Sequence, residues 1–273
     1  MSNNLNQKVQ ELPAGDFSRA LKGDIKINVG PLLKHAWDIT PRILLWMIGL
    51  FIGVVALSFV LQEIYAVFIP TYSTDLTPEQ QAALIMESNM IGSMITVTLL
   101  NELIMAPFTA LFIMVALANV ANHKPNMALL RAGLAQWKSL VLLLLVKMVM
   151  ILVSGVLLSW LFFLNTTLAM ALLVGFGGYI QLSLILAIPL ILDRRLGVKQ
   201  AVFGSFIIVN KAMFPVLMLM ILMFIIILIS VIPLGLGLIF TLPMMANLIA
   251  VIYHALVGST IAEHPALQTE GVR

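Results

Sequence analysis

Two ionisable side chains stand inside long apolar stretches of this sequence, where they are the best candidates for chemistry. Glu102 follows Asn101 in one stretch, and Lys147 lies in the next. A charged side chain costs about 2.5–3.5 kcal/mol at the centre of a membrane helix, so such a residue is a functional candidate. At 1.5 Å of rise per residue, Glu102 would lie roughly 16 Å from the outer end of its helix and Lys147 roughly 13 Å from the inner end. The two side chains are therefore predicted at similar depth, where they could pair.

Three interpretations of this pair stay open. In the first, Glu102 and Lys147 belong to an ion or proton relay. In the second, they form a buried pair that sets the register of two helices. In the third, the long stem of Lys147 carries its charge to the inner headgroups, while Pro107 allows the other helix to shift until Glu102 meets the outer headgroups.

The sequence lacks the usual signatures of metal binding and catalysis. It has no cysteine, and its four histidines do not have the spacing of a metal site. Met86, Met90 and Met94 share one helical face; thioethers favour Cu(I), but methionine is also a common adaptable core residue. There is no G-x-S-x-G, no H-E-x-x-H and no glycine-rich phosphate loop before a lysine. We therefore expect a protein that is not an enzyme, with no metal, no cofactor and no nucleic acid partner.

The composition indicates that lipid is the main solvent of this chain. Of its 273 residues, 61% are hydrophobic and 10% are charged, whereas soluble domains carry about 25% charged residues. A bilayer core of roughly 30 Å requires about 20 apolar residues per helix, and only Pro233-Leu234-Gly235 separates the last two apolar stretches. The predicted spans are Ile43–Ala66, Ile91–Ala118, Ser139–Phe163, Leu168–Leu192, Met213–Ile232 and Leu236–Val257.

The basic residues give these spans a direction. Lysine and arginine collect before the first span and in the second and fourth connections, whereas the opposite loops hold none. Because cytoplasmic loops retain lysine and arginine, both termini are predicted in the cytoplasm. The first outer loop carries acids instead, and its Thr77-Pro78 pair predicts a short external helix that starts at Pro78.

A similar pattern precedes the first, third and fifth spans: a short amphipathic stretch, a bulky apolar residue and a cation. In the second copy, Met127, Leu130, Leu134 and Trp137 follow helical spacing and make one apolar stripe. Helices of this kind lie in the membrane plane and contact anionic lipid at the cytoplasmic face. The residues predicted to contact lipid there are Trp37, Arg42, Arg131, Trp137, Lys138, Arg194, Arg195, Lys199 and Lys211. The alternative is that any multi-pass protein needs basic amphipathic approaches to its spans.

Together these features predict an all-α polytopic membrane protein with six transmembrane helices arranged as three hairpins, each preceded by a cytoplasmic interfacial amphipathic helix. Residues 1–42 would form a cytoplasmic N-terminal segment with an interfacial helix, 43–258 the transmembrane domain and 259–273 a cytoplasmic tail. The connections are too short for a nucleotide-binding domain.

Two short stretches carry a family resemblance. The residues involved are Leu76–Gln81 after the first span, and Pro189, Asp193, Gly197, Ala201 and Ser205 before the fifth. With the final pair of spans, which contain glycine and proline, they resemble the YciC-like group of bacterial inner-membrane proteins of unknown activity. The chain is also similar, more distantly, to the membrane domain fused to some bacterial glycerophosphodiester phosphodiesterases. This resemblance extends from about Trp37 to Gly258 and implies six transmembrane helices in the inner membrane, without catalytic residues.

Three functions stay open at this point. The sequence favours a non-enzymatic scaffold or accessory factor of the cell envelope, whose basic helices hold anionic lipid or a cytoplasmic partner. The first alternative is a small-solute or ion transporter that uses Glu102 and Lys147, since prolines interrupt its spans as they do in transporters. The second alternative is a lipid-binding or lipid-handling protein. A cavity that reaches Glu102 and Lys147 favours transport, whereas a tightly packed bundle favours the scaffold.

Overall fold

The computed structural model describes residues 13–68, 77, 90–163 and 165–261. Within these ranges the chain is helical and contains no strand, so the predicted all-α class is confirmed. The external helix predicted at Pro78, the methionine Met86 and the tail after residue 261 lie outside the described residues.

Asparagine and aspartate caps begin several of the helices. The side chains of Asp16, Asn126 and Asn165 each accept a hydrogen bond from the backbone N–H three residues later, which satisfies a donor that the helix itself leaves free. Two 3-10 turns, Thr40–Ile43 and Ser159–Phe163, adjoin longer helices. The α-helices are α1 (Phe17–Lys22), α2 (Val29–Ile39), α3 (Leu44–Phe68), α4 (Met90–Val120), α5 (Met127–Leu134), α6 (Trp137–Leu158), α7 (Thr166–Ser183), α8 (Ala187–Arg194), α9 (Val198–Lys211), α10 (Met213–Val231) and α11 (Leu238–Val257).

Six helical segments are long and apolar enough to cross a membrane, by length and composition. They contain α3, α4, α6, α10, α11 and the interrupted pair α7–α8, and they match the six predicted spans. Large apolar side chains on these helices remain exposed, for example Leu45 at 84% and Val156 at 73%. Apolar surface on this scale is rare on a soluble monomer, and lipid accounts for it.

The fourth predicted span, Leu168–Leu192, is not one continuous helix, because α7 ends at Ser183 before α8 begins. Pro189 explains the interruption, since its ring removes one N–H donor and crowds the carbonyl four residues earlier. Ser205 of α9 bridges the gap: its hydroxyl donates to the Ser183 carbonyl at 2.8 Å and accepts from the Leu186 N–H at 3.2 Å. Irregular backbone inside a membrane is tolerated where the protein satisfies it in this way.

The short turn predicted between the last two spans is confirmed. Leu234 and Gly235 separate α10 from α11 with positive φ angles of 54° and 77°, a conformation that glycine adopts without steric cost. At Gly237 the two helices come so close that an added Cβ would lie 2.8 Å from the Ser230 side chain. A tight turn of this kind leaves no room for a polar loop.

The core lies around α11 and the second half of α4. Nearly all of α11 from Asn247 onward is buried, and α4 is buried without interruption from Ile113 to Asn119. Helix α11 packs against α1, α2, α4 and α10, and α4 also contacts α3, α5, α6 and α8. A helix that is buried on every side must satisfy its polar groups internally, and the buried asparagines of this core do so as described below.

The partners of the three predicted hairpins are in contact: α3 with α4, α6 with α7, and α10 with α11. A further helix precedes α3, α6 and α10 in turn, namely α2, α5 and α9. Contacts between hairpins, above all those of α4, are just as extensive. Neither the hairpin as a repeated unit nor the placement of these shorter helices at a membrane surface follows from the contacts alone, and both stay predictions.

The apolar stripe predicted on α5 is divided in the folded chain. Leu130 is buried, whereas its other members are exposed: Met127, Leu134 and Trp137. Gly133 provides the physical reason, because α5 and α4 come very close there. A Cβ added at Gly133 would lie 2.8 Å from Cγ of Met114 in α4. One side of α5 therefore packs on α4, and the exposed residues lie on the other.

Candidate functional site

A cavity of about 500 Å³ lies between α4, α6 and the broken pair α7–α8. Ligand cavities are typically of this order, roughly 300–1,000 Å³, with mostly apolar walls and few polar groups. Its apolar walls include Leu99, Leu140, Leu143, Leu144, Ile151 and Leu152. The polar residues in its lining are Thr98, Glu102, Thr109, Lys147 and Gln181.

Both ionisable residues singled out from the sequence line this cavity. Lys147 of α6 donates a hydrogen bond from Nζ to Oε1 of Gln181 in α7, at 3.3 Å. Glu102 of α4 lies close enough for its charge to act on Lys147, but in the described part of the chain the two do not form an ion pair. The structure therefore brings the two predicted residues to one cavity and adds Gln181 as a hydrogen-bond partner of Lys147.

The interruption between α7 and α8 forms part of the cavity wall. Gln181 belongs to the last turn of α7, Ile188 belongs to α8, and both line the cavity. The interruption that Pro189 imposes thus lies next to the hydrogen bond of Lys147. Discontinuous membrane helices of this kind commonly border binding sites.

The arrangement suits an amphipathic molecule. The ammonium of Lys147 can donate to an anionic or neutral oxygen, and the carboxylate of Glu102 can accept from a cationic or neutral donor. The leucine and isoleucine walls provide contact for a hydrocarbon chain at about 25 cal/mol for each Å² removed from water. No arrangement of nucleophile, base and oxyanion donors accompanies these groups among the residues described.

Metal binding finds no support in the described part of the chain. There, no group of at least three His, Cys, Asp or Glu side chains could hold a metal ion. The helical face of Met86, Met90 and Met94, for which the sequence leaves Cu(I) binding and core packing as alternatives, begins at Met86, outside the described residues.

A buried polar network joins α2, α4 and α11 in the core. Asn119 donates from Nδ2 to the Ile39 carbonyl at 2.9 Å and to Oδ1 of Asn247 at 3.2 Å. Asn247 donates from Nδ2 to the hydroxyl of Thr40 at 3.0 Å, and Thr40 donates to the Ala36 carbonyl at 2.7 Å. Each of these polar side chains is therefore satisfied inside the protein, and the network fixes the three elements relative to one another.

A second network holds the end of α8 against the residues after α11. The phenol of Tyr253 donates to Oδ2 of the buried Asp193 at 2.7 Å. The backbone N–H of Thr260 lies 3.0 Å from each carboxylate oxygen, and Ser259 donates from its hydroxyl at 3.4 Å. Asp193, which was known from the sequence only through the family resemblance, thus anchors the segment that follows α11.

Arg194, predicted to contact lipid, makes its hydrogen bonds within the protein. Its Nη2 donates to the carbonyls of Val257 at 2.9 Å and Gly258 at 3.2 Å, which the end of α11 leaves without helical partners. The guanidinium also lies 5.2 Å from the ring centroid of Phe17. This arginine links α1, α8 and α11.

The other residues predicted to contact lipid are exposed. Trp37 packs on Phe240 with ring centroids 4.7 Å apart, Arg42 donates to Asn122 at 2.9 Å, and Lys138 lies 5.9 Å from the ring centroid of Trp137. The remaining members of the set, all exposed, are Arg131, Arg195, Lys199 and Lys211. Contact with lipid stays a prediction for all of them.

No family model, curated protein or solved structure matches this chain. The resemblance to the YciC-like group therefore stays a prediction. The geometry of the cavity is what bears on function.

Proposed function

We propose that this protein is a non-enzymatic integral protein of the bacterial inner membrane whose cavity binds a lipid-like, amphipathic molecule. The observation that carries the proposal is that Lys147, Gln181 and Glu102 line one cavity of about 500 Å³ whose walls are mostly apolar. The polar groups would hold the head of the molecule, and the apolar walls would hold its chain.

The character of the lining favours an amphipathic molecule over a hydrated ion. An ion pathway needs a continuous series of oxygen ligands or charges to replace the water around the ion. Here leucine and isoleucine side chains dominate the walls. Transport of a small solute is the second candidate, and the interruption of α7–α8 beside Gln181 supports it.

The scaffold function favoured by the sequence requires no cavity. The compact core of α2, α4 and α11, with its satisfied asparagines, supports a rigid frame, and in this proposal that frame carries a binding site. The basic residues between spans support cytoplasmic termini and a cytoplasmic position for α2, α5 and α9. In this orientation each of these helices would lie at the membrane surface before a transmembrane hairpin.

The test compares two phenylalanine substitutions on α4. Thr109 is exposed and lines the cavity, so Thr109→Phe would place an aromatic ring in it, whereas Leu103 is 38% exposed and lies outside it. Each variant is purified from vesicles of phosphatidylethanolamine and phosphatidylglycerol, and retained lipid is counted by native mass spectrometry. We expect wild type and Leu103→Phe to retain lipid and Thr109→Phe to lose most of it.

Two results would contradict the proposal. Wild type could retain no lipid at a concentration of detergent that leaves it folded, or all three proteins could retain it equally. Measurement of the melting temperature of each variant separates loss of binding from loss of folding. If lipid is not retained but a solute crosses proteoliposome membranes in a manner that depends on Lys147, the transport candidate replaces this one.

A further inference from the structure

A second cavity, of about 650 Å³, lies at the end of the bundle where the described chain begins. Residues of the segment from Pro13 to Asn28, residues of α2 between Gly30 and Asp38, and Ala255 of α11 form its walls. It shares no lining residue with the intramembrane cavity, which lies between α4, α6 and α7–α8. In the proposed orientation it faces the cytoplasm, next to the headgroups of the inner leaflet.

Basic side chains from three parts of the chain converge on this cavity. Arg19 comes from α1, Lys26 from the following connection and Lys34 from α2. Among the described residues, none of these three side chains forms an ion pair or a hydrogen bond. The fold thus brings together three cations that form no ion pair with a carboxylate in the described part of the chain.

The other titratable groups of the cavity moderate this charge without cancelling it. Asp24 and Asp38 also line it, and so does the half-buried His35. With His35 neutral, three cations face two carboxylates. The first turn of α2, which contributes Gly30 to the lining and has no side-chain cap, adds backbone N–H donors and the positive end of a helix dipole.

We propose that this cavity binds a phosphate group, carried either by a lipid headgroup or by a water-soluble molecule. Lysine and arginine form their strongest hydrogen bonds with phosphate and carboxylate oxygens. A cavity of about 650 Å³ accommodates a phosphorylated group larger than a bare ion. Its position at the membrane surface makes it accessible from the inner leaflet and from solution, so the shared chemistry is the phosphate itself.

The test uses two charge-matched double variants of the full-length protein. Lys26→Gln with Lys34→Gln removes two cations from the cavity, whereas Lys22→Gln with Lys124→Gln removes two exposed cations that neither line it nor belong to the residues predicted to contact lipid. All proteins are placed in phosphatidylcholine nanodiscs, and pyrophosphate binding is measured by calorimetry. A second set of nanodiscs contains phosphatidic acid, and retained phosphatidic acid is counted by native mass spectrometry.

We expect the affinity of the cavity variant for at least one probe to fall about tenfold or more, because each lysine that is lost removes a charge-assisted hydrogen bond to the phosphate. The control variant keeps its binding. Loss of pyrophosphate binding identifies a water-soluble phosphate, and loss of phosphatidic acid alone identifies a lipid headgroup. Both variants should keep the melting temperature of wild type, since all four lysines are exposed.

Three results would overturn the proposal. Wild type could bind neither probe, or the two double variants could lose binding equally, which would indicate a general effect of charge. Binding of both probes could also disappear in Thr109→Phe, which places an aromatic ring in the other cavity and is expected to leave this one unchanged. That third result would place the bound molecule in the intramembrane cavity.

Discussion

The Nζ atom of Lys147 lies 3.3 Å from Oε1 of Gln181, so that α6 and the last turn of α7 share a hydrogen bond at the wall of the intramembrane cavity. A lysine within an apolar bundle needs such an acceptor, since its charged form is costly to bury without one. The acceptor is next to the point where the fourth span is interrupted. Changes at Gln181 therefore test both the packing of α6 on α7 and the character of the cavity.

Substitution Gln181→Leu removes the acceptor and should destabilise the protein by about 0.6–1.7 kcal/mol, which lies between the average and the largest value measured for hydrogen bonds between membrane helices. Reversible unfolding in mixed micelles measures this free energy. The matched variant Gln181→Glu keeps an acceptor oxygen and should be at least as stable as wild type. If the free energy of unfolding of Gln181→Leu equals that of wild type, the hydrogen bond makes no contribution to stability.

Substitution Asn247→Leu should lower the free energy of unfolding more than Gln181→Leu does. It leaves the Asn119 amide and the Thr40 hydroxyl with fewer hydrogen-bond partners in a fully buried site. Removal of one partner from a buried hydrogen-bonded pair costs about 1–3 kcal/mol, and the same unfolding assay applies. Ser58→Ala provides the control, since the Ser58 hydroxyl donates only to the Val54 carbonyl of its own helix at an exposed position. Equal unfolding free energies for these two variants would contradict the assigned role of the network.

Substitution Tyr253→Phe removes the phenol that donates to Asp193 and should loosen the segment held by that carboxylate. We expect faster hydrogen exchange at the Thr260 amide, which donates to Asp193 at 3.0 Å. Tyr179→Phe is the control, because Tyr179 donates to Asn210 in a different part of the bundle. Unchanged exchange at Thr260 in Tyr253→Phe, or the same increase in the control, would show that the phenol does not hold this segment.

The cap of α1 should respond to acid. Hydrogen bonds from the Ser18 hydroxyl at 2.6 Å and the Arg19 N–H at 2.9 Å hold the pKa of the Asp16 carboxyl below its ordinary value of 3.8. A carboxyl whose pKa is lowered by folding stabilises the folded state at any pH above its ordinary pKa. That contribution is lost as the pH falls through the lowered pKa.

NMR of the full-length protein with isotope-labelled aspartate measures this titration. The Asp16 carboxyl carbon should titrate below pH 3.8, and α1 should fray only in that range. Ser18→Ala, which removes the first donor, should raise the pKa toward its ordinary value. A midpoint at or above 3.8 in wild type would mean that Asp16 does not cap α1 in solution.

Much of the fold could be predicted because it depends on local properties of the chain. Hydropathy locates the six spans, since every helix that crosses a bilayer must be apolar over its own length. The Pro233-Leu234-Gly235 turn was equally predictable, because the backbone angles at Gly235 are a property of a few adjacent residues. In the fourth span Pro189 was visible, but the position of the interruption depends on Ser205 of another helix.

The networks could not be predicted because they join residues far apart in the chain. Asn119 and Asn247 are 128 residues apart, and Asn119 lies at the end of an apolar stretch, where a polar residue ordinarily meets water or headgroups. Asp193 gave no signal of burial, since it stands beside two arginines in what reads as a basic loop. For the cavity, the depths of Glu102 and Lys147 could be estimated from the sequence. The hydrogen bond from Lys147 to Gln181 could not, because it depends on how α6 packs on α7.

Site-specific crosslinking in native membranes tests the central claim, a lipid-like molecule in the intramembrane cavity, most directly. A photoreactive phenylalanine analogue is placed at Leu99, which lines the cavity and is closer in size to the analogue than Thr109, or at Leu103, which does not line it, and the adducts are identified by mass spectrometry after illumination. We predict one dominant lipid adduct at position 99 that disappears when Lys147→Met is added, and only scattered bulk-lipid adducts at position 103. Identical adducts at both positions, unaffected by Lys147→Met, would contradict the claim.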